Sequence, residues 1–169
     1  MLDPLPHGAD EDARRAQHAE VAARIASLLD GEDDVVAAMS TVVCELHHAF
    51  SAWHWTGFYR VIAPELLAVG PYQGGHGCLR IPFSRGVCGA AARSRQTQRL
   101  ADVSTFADHI ACATTTQSEL VVPVLDAEGR CIGVFDVDSD HLDAFSAADQ
   151  AALEALMADL GPRYGTLCP

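Results

Sequence analysis

The spacing of apolar residues along the chain predicts where helices and strands lie. Apolar side chains recur at helical intervals over residues 11–29, and Gly31 then ends the pattern. A second helical pattern covers residues 33–50, and Cys44 within it is expected to be a small buried residue. The polar segment 1–10 has no such pattern and is expected to be a mobile tail.

After the second helix the apolar positions alternate, which is typical of β-strands. Two strands joined by a turn at Ala63 and Pro64 are predicted by the segments HWTGFYRVI and ELLAVGPYQG. A second pair is predicted in ELVVPVLDAEGRCIGVFDVDS, which would turn at residues 127–129. Between the two pairs, a short helix is expected to begin near Gly86.

A last helix is predicted near the end of the chain, where Ser146 is a suitable N-cap residue and Asp149 follows three residues later. The order of elements is therefore two helices, strands, a helix, strands and a helix. This order is typical of α+β folds. We expect a single domain over residues 11–165, in which a central antiparallel sheet has helices packed on one side.

The charge of the chain narrows the classes of partner that it can bind. The 169 residues include 11 Lys or Arg and 23 Asp or Glu, which gives a formal net charge of −12. Such a chain repels phosphate backbones and anionic lipids, so we expect neither a nucleic-acid nor a membrane partner. No apolar run approaches the roughly 18 residues of a membrane span, and no signal-peptide pattern opens the sequence. A cytoplasmic location is therefore expected.

Three carboxylates are predicted to share one face of the second strand pair. A turn at 127–129 would place Glu119 opposite Asp136, and alternation along each strand would bring Asp138 to the same face. The cluster could be a solvated sheet end, but its carboxylates would repel one another unless a cation such as an ammonium group or a metal ion joined them. Pro123 interrupts the ladder and indicates an edge strand or a bulge.

An aromatic wall is predicted on the first strand. Alternation places Trp53, Trp55, Gly57 and Tyr59 on one face. Core packing is the plain interpretation of such a stripe. Gly57 would leave a gap in it, where a small apolar group of a ligand could lie.

The chain has six cysteines, of which Cys78, Cys88 and Cys112 lie near glycines and polar loops. A disulfide framework is the weaker interpretation in a reducing compartment, and no Cys-x-x-Cys pair indicates a structural zinc site. A zinc ion held by these three cysteines and His109 stays an alternative. The two remaining cysteines of the C-terminal half are expected to be non-catalytic, namely Cys131 and Cys168.

A series of motifs between Trp55 and Ser139 resembles that of the free methionine-R-sulfoxide reductases, which are GAF-domain enzymes. In chain order the motifs are WTGFY, GPYQG, CLRIPF, RGVCGAA, DHIAC, SELVVPV and GVFDVDS. Ala113 departs from the family pattern, in which an aspartate is common after the last cysteine. The resemblance implies a GAF domain, and it implies that free L-methionine (R)-sulfoxide is reduced to methionine.

The resemblance also implies roles for the three cysteines. Cys112 would attack the sulfoxide sulfur as a thiolate and become a sulfenic acid, and His109 could help to lower its pKa. Cys78 would resolve the sulfenic acid as an intramolecular disulfide, which thioredoxin would reduce. Cys88 would have a secondary recycling role, and its place near a helix start would favour the thiolate. Neither an organic cofactor nor a metal is expected.

The predicted substrate site follows from the same resemblance. The substrate ammonium would be bound by Glu119, Asp136 and Asp138, one of which would donate a proton to the sulfoxide oxygen, with Glu119 as a catalytic candidate. Trp55 and Tyr59 would contact the methyl and methylene groups. The oligomeric state is left open, with a homodimer as one option. The competing function is a GAF domain that senses a ligand or the redox state without catalysis.

Overall fold

The computed structural model describes residues 2–107 and 114–168, and it has the expected order of helices and strands. Among these residues, no helix combines the length and the apolar character needed to cross a membrane. The elements, in chain order, are α1 (Glu11–Leu28), α2 (Val35–Ala49), β1 (Trp55–Ala63), β2 (Leu66–Gln73), β3 (Arg80–Pro82), α3 (Gly86–Ser94), β4 (Gln98–Leu100), a 3-10 turn (Val103–Thr105), β5 (Ser118–Leu125), β6 (Cys131–Ser139) and α4 (Ala147–Tyr164).

Side-chain caps fix where three helices begin. Asp10 accepts a hydrogen bond from the Ala13 amide at the start of α1, and Asp34 caps α2 in the same way. At α4, Ser146 and Asp149 form a reciprocal capping box, which confirms the sequence-based prediction. These caps satisfy amide groups that the helices themselves leave without partners.

The six strands form one antiparallel sheet in the order β3-β2-β1-β6-β5-β4. Its two faces carry separate apolar clusters. Phe58 and Phe135 contact α1, α2 and α4 on one face, whereas Tyr59 and Val134 lie in the cluster of α3 on the other. The predicted α+β fold with a central antiparallel sheet is therefore confirmed, with three helices on one side and the short α3 opposite them.

The β5–β6 hairpin differs from the prediction in register. Glu119 lies opposite Asp138 and not Asp136, a difference of two residues, of which the turn accounts for one and a bulge beside Val124 for the other. A shift of two residues keeps every side chain on its predicted face, since side chains alternate with a period of two. Pro123 lies beyond the part of β5 that pairs with β4, where no ladder hydrogen bond is needed on that edge.

Residues 2–10, expected to belong to a mobile tail, are held against the end of α2. The Leu5 amide donates to the Ala49 carbonyl at 2.8 Å, and the Ser51 amide donates to the Leu5 carbonyl at 3.0 Å. The His7 ring also stacks on His141, with 4.3 Å between the ring centroids. Leu2 and Leu5 also pack against the apolar cluster of α1, α2 and α4, but two isolated leucines form no periodic pattern that the sequence could reveal.

Candidate active site

The three predicted carboxylates lie on the α3 face of the sheet. Glu119 and Asp136 are 6% and 5% exposed, and Asp138 is partly buried. Asp138 stands opposite Trp55, and Asp136 stands opposite Gly57 on the neighbouring strand β1. The sequence-based prediction that these carboxylates share a face is therefore confirmed.

Burial and mutual repulsion change the acidity of this cluster. The pKa of Asp136 is raised well above its ordinary value, first by burial and then by the charge of Glu119. Burial also raises the pKa of Asp138, and the charges of Asp136 and Asp140 add to the effect. No described Lys, Arg or His forms an ion pair with Asp136 or Asp138. These carboxyl groups therefore keep a proton to a higher pH than an ordinary aspartate does.

Asp136 also has an oxygen without a partner. Its Oδ2 atom accepts a hydrogen bond from the Cys88 thiol at 3.2 Å. Its Oδ1 atom is buried and has no hydrogen-bond partner among the described residues. A buried acceptor of this kind is costly, and in native structures it often marks a ligand position.

Cys88 is the third residue of α3 and is 4% exposed. Burial raises the pKa of its thiol well above the ordinary value, and the charges of Asp136 and Glu119 raise it further. The sequence-based argument that a helix start favours the thiolate is therefore wrong for the substrate-free protein. The carboxylates and the apolar surroundings outweigh the helix dipole here, so Cys88 is a protonated thiol.

Aromatic rings form the neighbouring wall, and one of them was missed from the sequence. Trp55 stacks on Tyr59 with 5.6 Å between the ring centroids, and Tyr72 from β2 stacks on Trp55 at 5.3 Å. Tyr72 could have been found from the β1–β2 pairing, which places it opposite Gly57. The wall is therefore built from two strands, with Trp55 between two other rings.

Two predictions about this wall are wrong. Trp53 precedes β1 and packs in the opposite apolar cluster, where its ring stacks on Phe50 at 4.3 Å. The predicted gap at Gly57 is filled, because a Cβ there would collide with Tyr72 and lie 2.6 Å from the Trp55 ring. The absence of a side chain at Gly57 therefore allows the rings to pack closely and does not leave a ligand cavity.

The loop that precedes β3 lies against the aromatic wall. The Trp55 indole donates a hydrogen bond to the Gly75 carbonyl at 3.2 Å. A Cβ at Gly77 would lie 2.9 Å from the Trp55 ring and 3.0 Å from the Tyr59 hydroxyl oxygen. A hydrogen bond also joins the Tyr59 hydroxyl to the backbone of Cys78. These contacts position Cys78 beside the aromatic rings.

The cysteines differ in their state. Cys78 is partly buried and takes part in a disulfide bond, so it does not provide a thiolate to the zinc site considered from the sequence. The other described cysteines are free thiols, namely Cys44, Cys88, Cys131 and Cys168. Cys44 is exposed on α2, so the prediction that it is buried is wrong. Cys112 and His109 lie outside the described residues.

Comparison with known proteins places this site in a family context. The family model of the GAF domain matches residues 11–162. The chain is 37% identical over 134 residues to the free methionine-R-sulfoxide reductase of Escherichia coli, which covers 79% of this chain and 80% of the relative. It is 37% identical over 145 residues to GAF domain-containing protein A of Dictyostelium discoideum, covering 86% of this chain and 90% of the relative.

A solved structure gives a further comparison. The free methionine-R-sulfoxide reductase of Neisseria meningitidis, solved in complex with its substrate, superposes with a TM-score of 0.86 at 40% sequence identity. The match covers 98% of this chain and 96% of that chain. The sheet, the helices and the face that carries the carboxylates all lie within the matched region.

Proposed function

Because the chain belongs to the GAF-domain family of free methionine-R-sulfoxide reductases, we propose that it reduces free L-methionine (R)-sulfoxide to L-methionine as a single-domain oxidoreductase. One observation carries the proposal beyond the family. The buried Oδ1 atom of Asp136 has no hydrogen-bond partner among the described residues, and no described cation pairs with Asp136 or Asp138. A free amino acid supplies the missing positive charge through its ammonium group.

In this proposal the ammonium group binds the carboxylate face. Asp136, Asp138 and Glu119 project from the same face of two paired strands, so one bound cation could contact more than one of them. A bound cation lowers the cost of placing these charges together. A peptide-bound methionine sulfoxide lacks the ammonium group, and the site therefore selects the free amino acid.

The substrate carboxylate needs a positive counterpart, and we place it at the start of α3. The N-cap residue of this helix, Arg85, makes no capping hydrogen bond with its side chain. The first amide groups of α3 are therefore left for another acceptor, and the helix dipole favours an anion there. The ammonium and the carboxylate would then bind on opposite sides of Cys88.

The apolar part of the substrate would contact the aromatic wall. Trp55 and Tyr59 are stacked and buried at the edge of the carboxylate cluster. Contacts of sulfur with aromatic rings are favourable, and the rings exclude water from the reacting sulfur. The hydrogen bond between the Tyr59 hydroxyl and the Cys78 backbone would couple this wall to the cysteine loop.

The chemical step begins with the Cys112 thiolate, which attacks the sulfoxide sulfur. The sulfur–oxygen bond breaks as the oxygen takes up a proton and passes to the cysteine, which leaves methionine and a sulfenic acid. The proton comes from a carboxyl group of the cluster, with Glu119 as the catalytic candidate. The raised pKa of Asp136 and Asp138 supports a carboxyl donor, because this cluster keeps a proton to a higher pH than ordinary aspartates do.

The cycle closes through the other cysteines. The Cys78 thiol attacks the sulfenic sulfur, water leaves, and a disulfide remains. A dithiol protein of the thioredoxin class then reduces this disulfide by thiol–disulfide exchange. Both cysteines return to thiols, and the disulfide passes to the reductant. We place this cycle in the reducing cytoplasm, where such a reductant is present. The disulfide-bonded state of Cys78 supports its redox role.

Cys88 would act as a secondary recycling thiol. Its proton must leave before its sulfur can attack a disulfide, and Asp136 lies 3.2 Å away as the acceptor. Since the pKa of the Cys88 thiol is raised, this reaction would be slower than that of an ordinary cysteine thiol. The homodimer considered from the sequence stays a prediction, which analytical ultracentrifugation would test.

The test is turnover with purified protein. Thioredoxin, thioredoxin reductase and NADPH are mixed with free methionine (R)-sulfoxide or (S)-sulfoxide, and NADPH consumption and methionine formation are followed. For the R-isomer we expect equal molar amounts of NADPH consumed and methionine formed. For the S-isomer we expect only the background rate. The matched control is Cys44→Ser, which removes an exposed thiol on α2, across the sheet from the carboxylates. Binding of the R-isomer without turnover would contradict the proposal and favour a ligand sensor.

A further inference from the structure

Beyond the substrate contacts, the site contains a set of ligand atoms that is typical of a metal centre. The Cys88 sulfur and one carboxylate oxygen each from Glu119 and Asp136 all lie within 4.8 Å of one another. The three residues come from α3, β5 and β6, and all are buried. Three packed elements therefore hold these atoms together, and no loop has to close to bring them into place.

A sulfur among the oxygens is the feature that an ammonium group does not explain. Ammonium is bound well by carboxylate oxygens alone, whereas a thiolate with carboxylates is a suitable donor set for Zn²⁺ and similar ions. Two ligands at ordinary Zn–S and Zn–O distances and a tetrahedral angle are roughly 3.5 Å apart. The Cys88 sulfur and Asp136 Oδ2 are 3.2 Å apart, which is close to that separation.

The electrostatics of the cluster also favour a cation. Asp136 Oδ1 has no hydrogen-bond partner among the described residues, and only 5% of the Asp136 surface is exposed. An ion with two positive charges beside this carboxylate would compensate its negative charge, including that on the oxygen without a hydrogen-bond partner. It would also offset the repulsion between the Asp136 and Glu119 carboxylates, whose oxygens lie within 4.8 Å of each other.

We propose that Cys88, Glu119 and Asp136 bind one soft divalent cation of the Zn²⁺ class and that this ion competes with the substrate. On binding, the Cys88 sulfur–hydrogen bond breaks, its proton leaves to solvent and a metal–sulfur bond forms, with no change in oxidation state. The fourth position of a tetrahedral ion is left for water. The competition rests on the function proposed above, because the ion takes the place of the substrate ammonium. Binding of the ion does not depend on that function.

This inference departs from the expectation that the protein has no metal site. It also differs from the zinc set considered from the sequence, which needed Cys78 as a ligand. Cys78 is disulfide-bonded here, and the Cys88 site is nevertheless assembled. The cation should therefore bind the oxidised protein, in which turnover is not possible.

The experiment uses Cd²⁺ as a probe on oxidised protein without substrate or reductant. To remove background thiols, Cys44, Cys131 and Cys168 are replaced by Ser, and the cadmium–thiolate absorbance is followed in a titration. We expect a signal that saturates at about one equivalent of Cd²⁺. Adding Cys88→Ser should abolish the signal, and adding Asp136→Asn should weaken binding by at least about 10-fold. Near-UV circular dichroism checks that each variant is folded.

The outcomes separate the parts of the proposal. An unchanged signal in the Cys88→Ser variant, or no thiolate signal in the parent, would overturn the metal site. A signal that depends on Cys88 would support it even if the protein had no reductase activity. Adding free methionine as the second ligand then tests competition. Because any free amino acid chelates Cd²⁺ in solution, glycine at the same concentration is the control. We expect the apparent affinity for Cd²⁺ to fall further with methionine than with glycine, and equal affinities in the two would overturn the competition.

Discussion

Glu119 and Asp138 are direct cross-strand neighbours on β5 and β6, so two carboxylates occupy opposed positions on one face of the sheet. Like charges in this arrangement destabilise a sheet, and the nearby Asp136 adds a third acidic group. No described cation pairs with Asp136 or Asp138. We interpret this unfavourable arrangement as the basis of substrate binding, because it is relieved when a cation enters.

The first prediction concerns selectivity for the free amino acid. N-acetylmethionine (R)-sulfoxide has no ammonium group, so its entry would leave Asp136 and Asp138 without a cation. A site that requires a charged partner rejects such an analogue by roughly 10⁴-fold in kcat/KM. The measurement compares kcat/KM for the two compounds under thioredoxin recycling. Comparable values would contradict an ammonium site on this face.

The second prediction separates the roles of two cysteines. Cys112→Ser should reduce turnover to the background rate, since a serine hydroxyl is a far poorer nucleophile at neutral pH. Cys78→Ser should form about one methionine per protein rapidly and then turn over slowly, because the sulfenic acid lacks its main resolving thiol. Rapid-quench assays of methionine formation measure both. A steady-state rate in Cys78→Ser equal to that of the wild type would assign the resolving role elsewhere.

The sequence predicted the acidic face correctly even though the predicted register was wrong. The turn and the bulge beside Val124 each moved the pairing by one residue, so the partner of Glu119 is Asp138 and not Asp136. Because side chains alternate with a period of two, a shift of two residues leaves the face of each residue unchanged. Periodicity therefore determines which residues share a face of the sheet, whereas the turn and its bulge determine which residues are direct cross-strand partners.

Other features could not be predicted because they depend on tertiary packing. The raised pKa of Cys88 arises from carboxylates of two strands far away in the sequence, which outweigh the local helix start. The exposure of Cys44 depends on the rotational phase of α2, and a one-residue step from the buried Val43 is enough to reach solvent.

The third prediction uses two glycines of the loop before β3. Gly77→Ala would place a Cβ 2.9 Å from the Trp55 ring, whereas a Cβ at Gly75 has no atom within 4 Å. We expect Gly77→Ala to shift the loop and lower kcat/KM by about 10-fold or more, since a small misplacement of reacting groups is costly. Gly75→Ala is the matched control and should stay close to the wild type. Equal losses in both variants would indicate general loop flexibility and not contact with the aromatic wall.

The fourth prediction concerns a buried ion pair away from the site. Asp149 is fully buried in α4, where it accepts hydrogen bonds from Arg14 at 2.5 Å and from His18 at 2.8 Å. Asp149→Asn should lower the free energy of unfolding by roughly 3 kcal/mol, because it leaves the buried Arg14 without its counter-charge. Chemical denaturation measures the loss.

An exposed ion pair provides the control for that measurement. Asp12 pairs with Arg15 on the surface of α1, where both side chains are largely exposed. Asp12→Asn should change the free energy of unfolding by less than about 1 kcal/mol. Equal effects of the Asp12 and Asp149 substitutions would mean that burial does not strengthen the role of Asp149.

The last prediction is a pH dependence with opposite signs at two aspartates. The pKa of Asp136 is raised in the folded protein by burial and by Glu119, whereas an unfolded aspartate titrates at about 3.9. Its contribution to stability is therefore fully present below the unfolded pKa and is lost as the pH rises through the folded pKa. Asp136→Asn removes this titration, so the substrate-free variant should be more stable than the wild type at neutral pH, and its advantage should shrink as the pH falls.

Asp102 provides the matched control of opposite sign. Its pKa is lowered by hydrogen bonds from the side chain and the backbone of Ser104, so its contribution to stability is present above the unfolded pKa and is lost as the pH falls. Asp102→Asn should therefore be slightly less stable than the wild type at neutral pH and approach it in acid. Thermal unfolding of the three proteins across acidic and neutral pH measures both trends. A constant offset between Asp136→Asn and the wild type at every pH would contradict the raised pKa of Asp136, and with it the proposal that this cluster holds a proton for the sulfoxide oxygen.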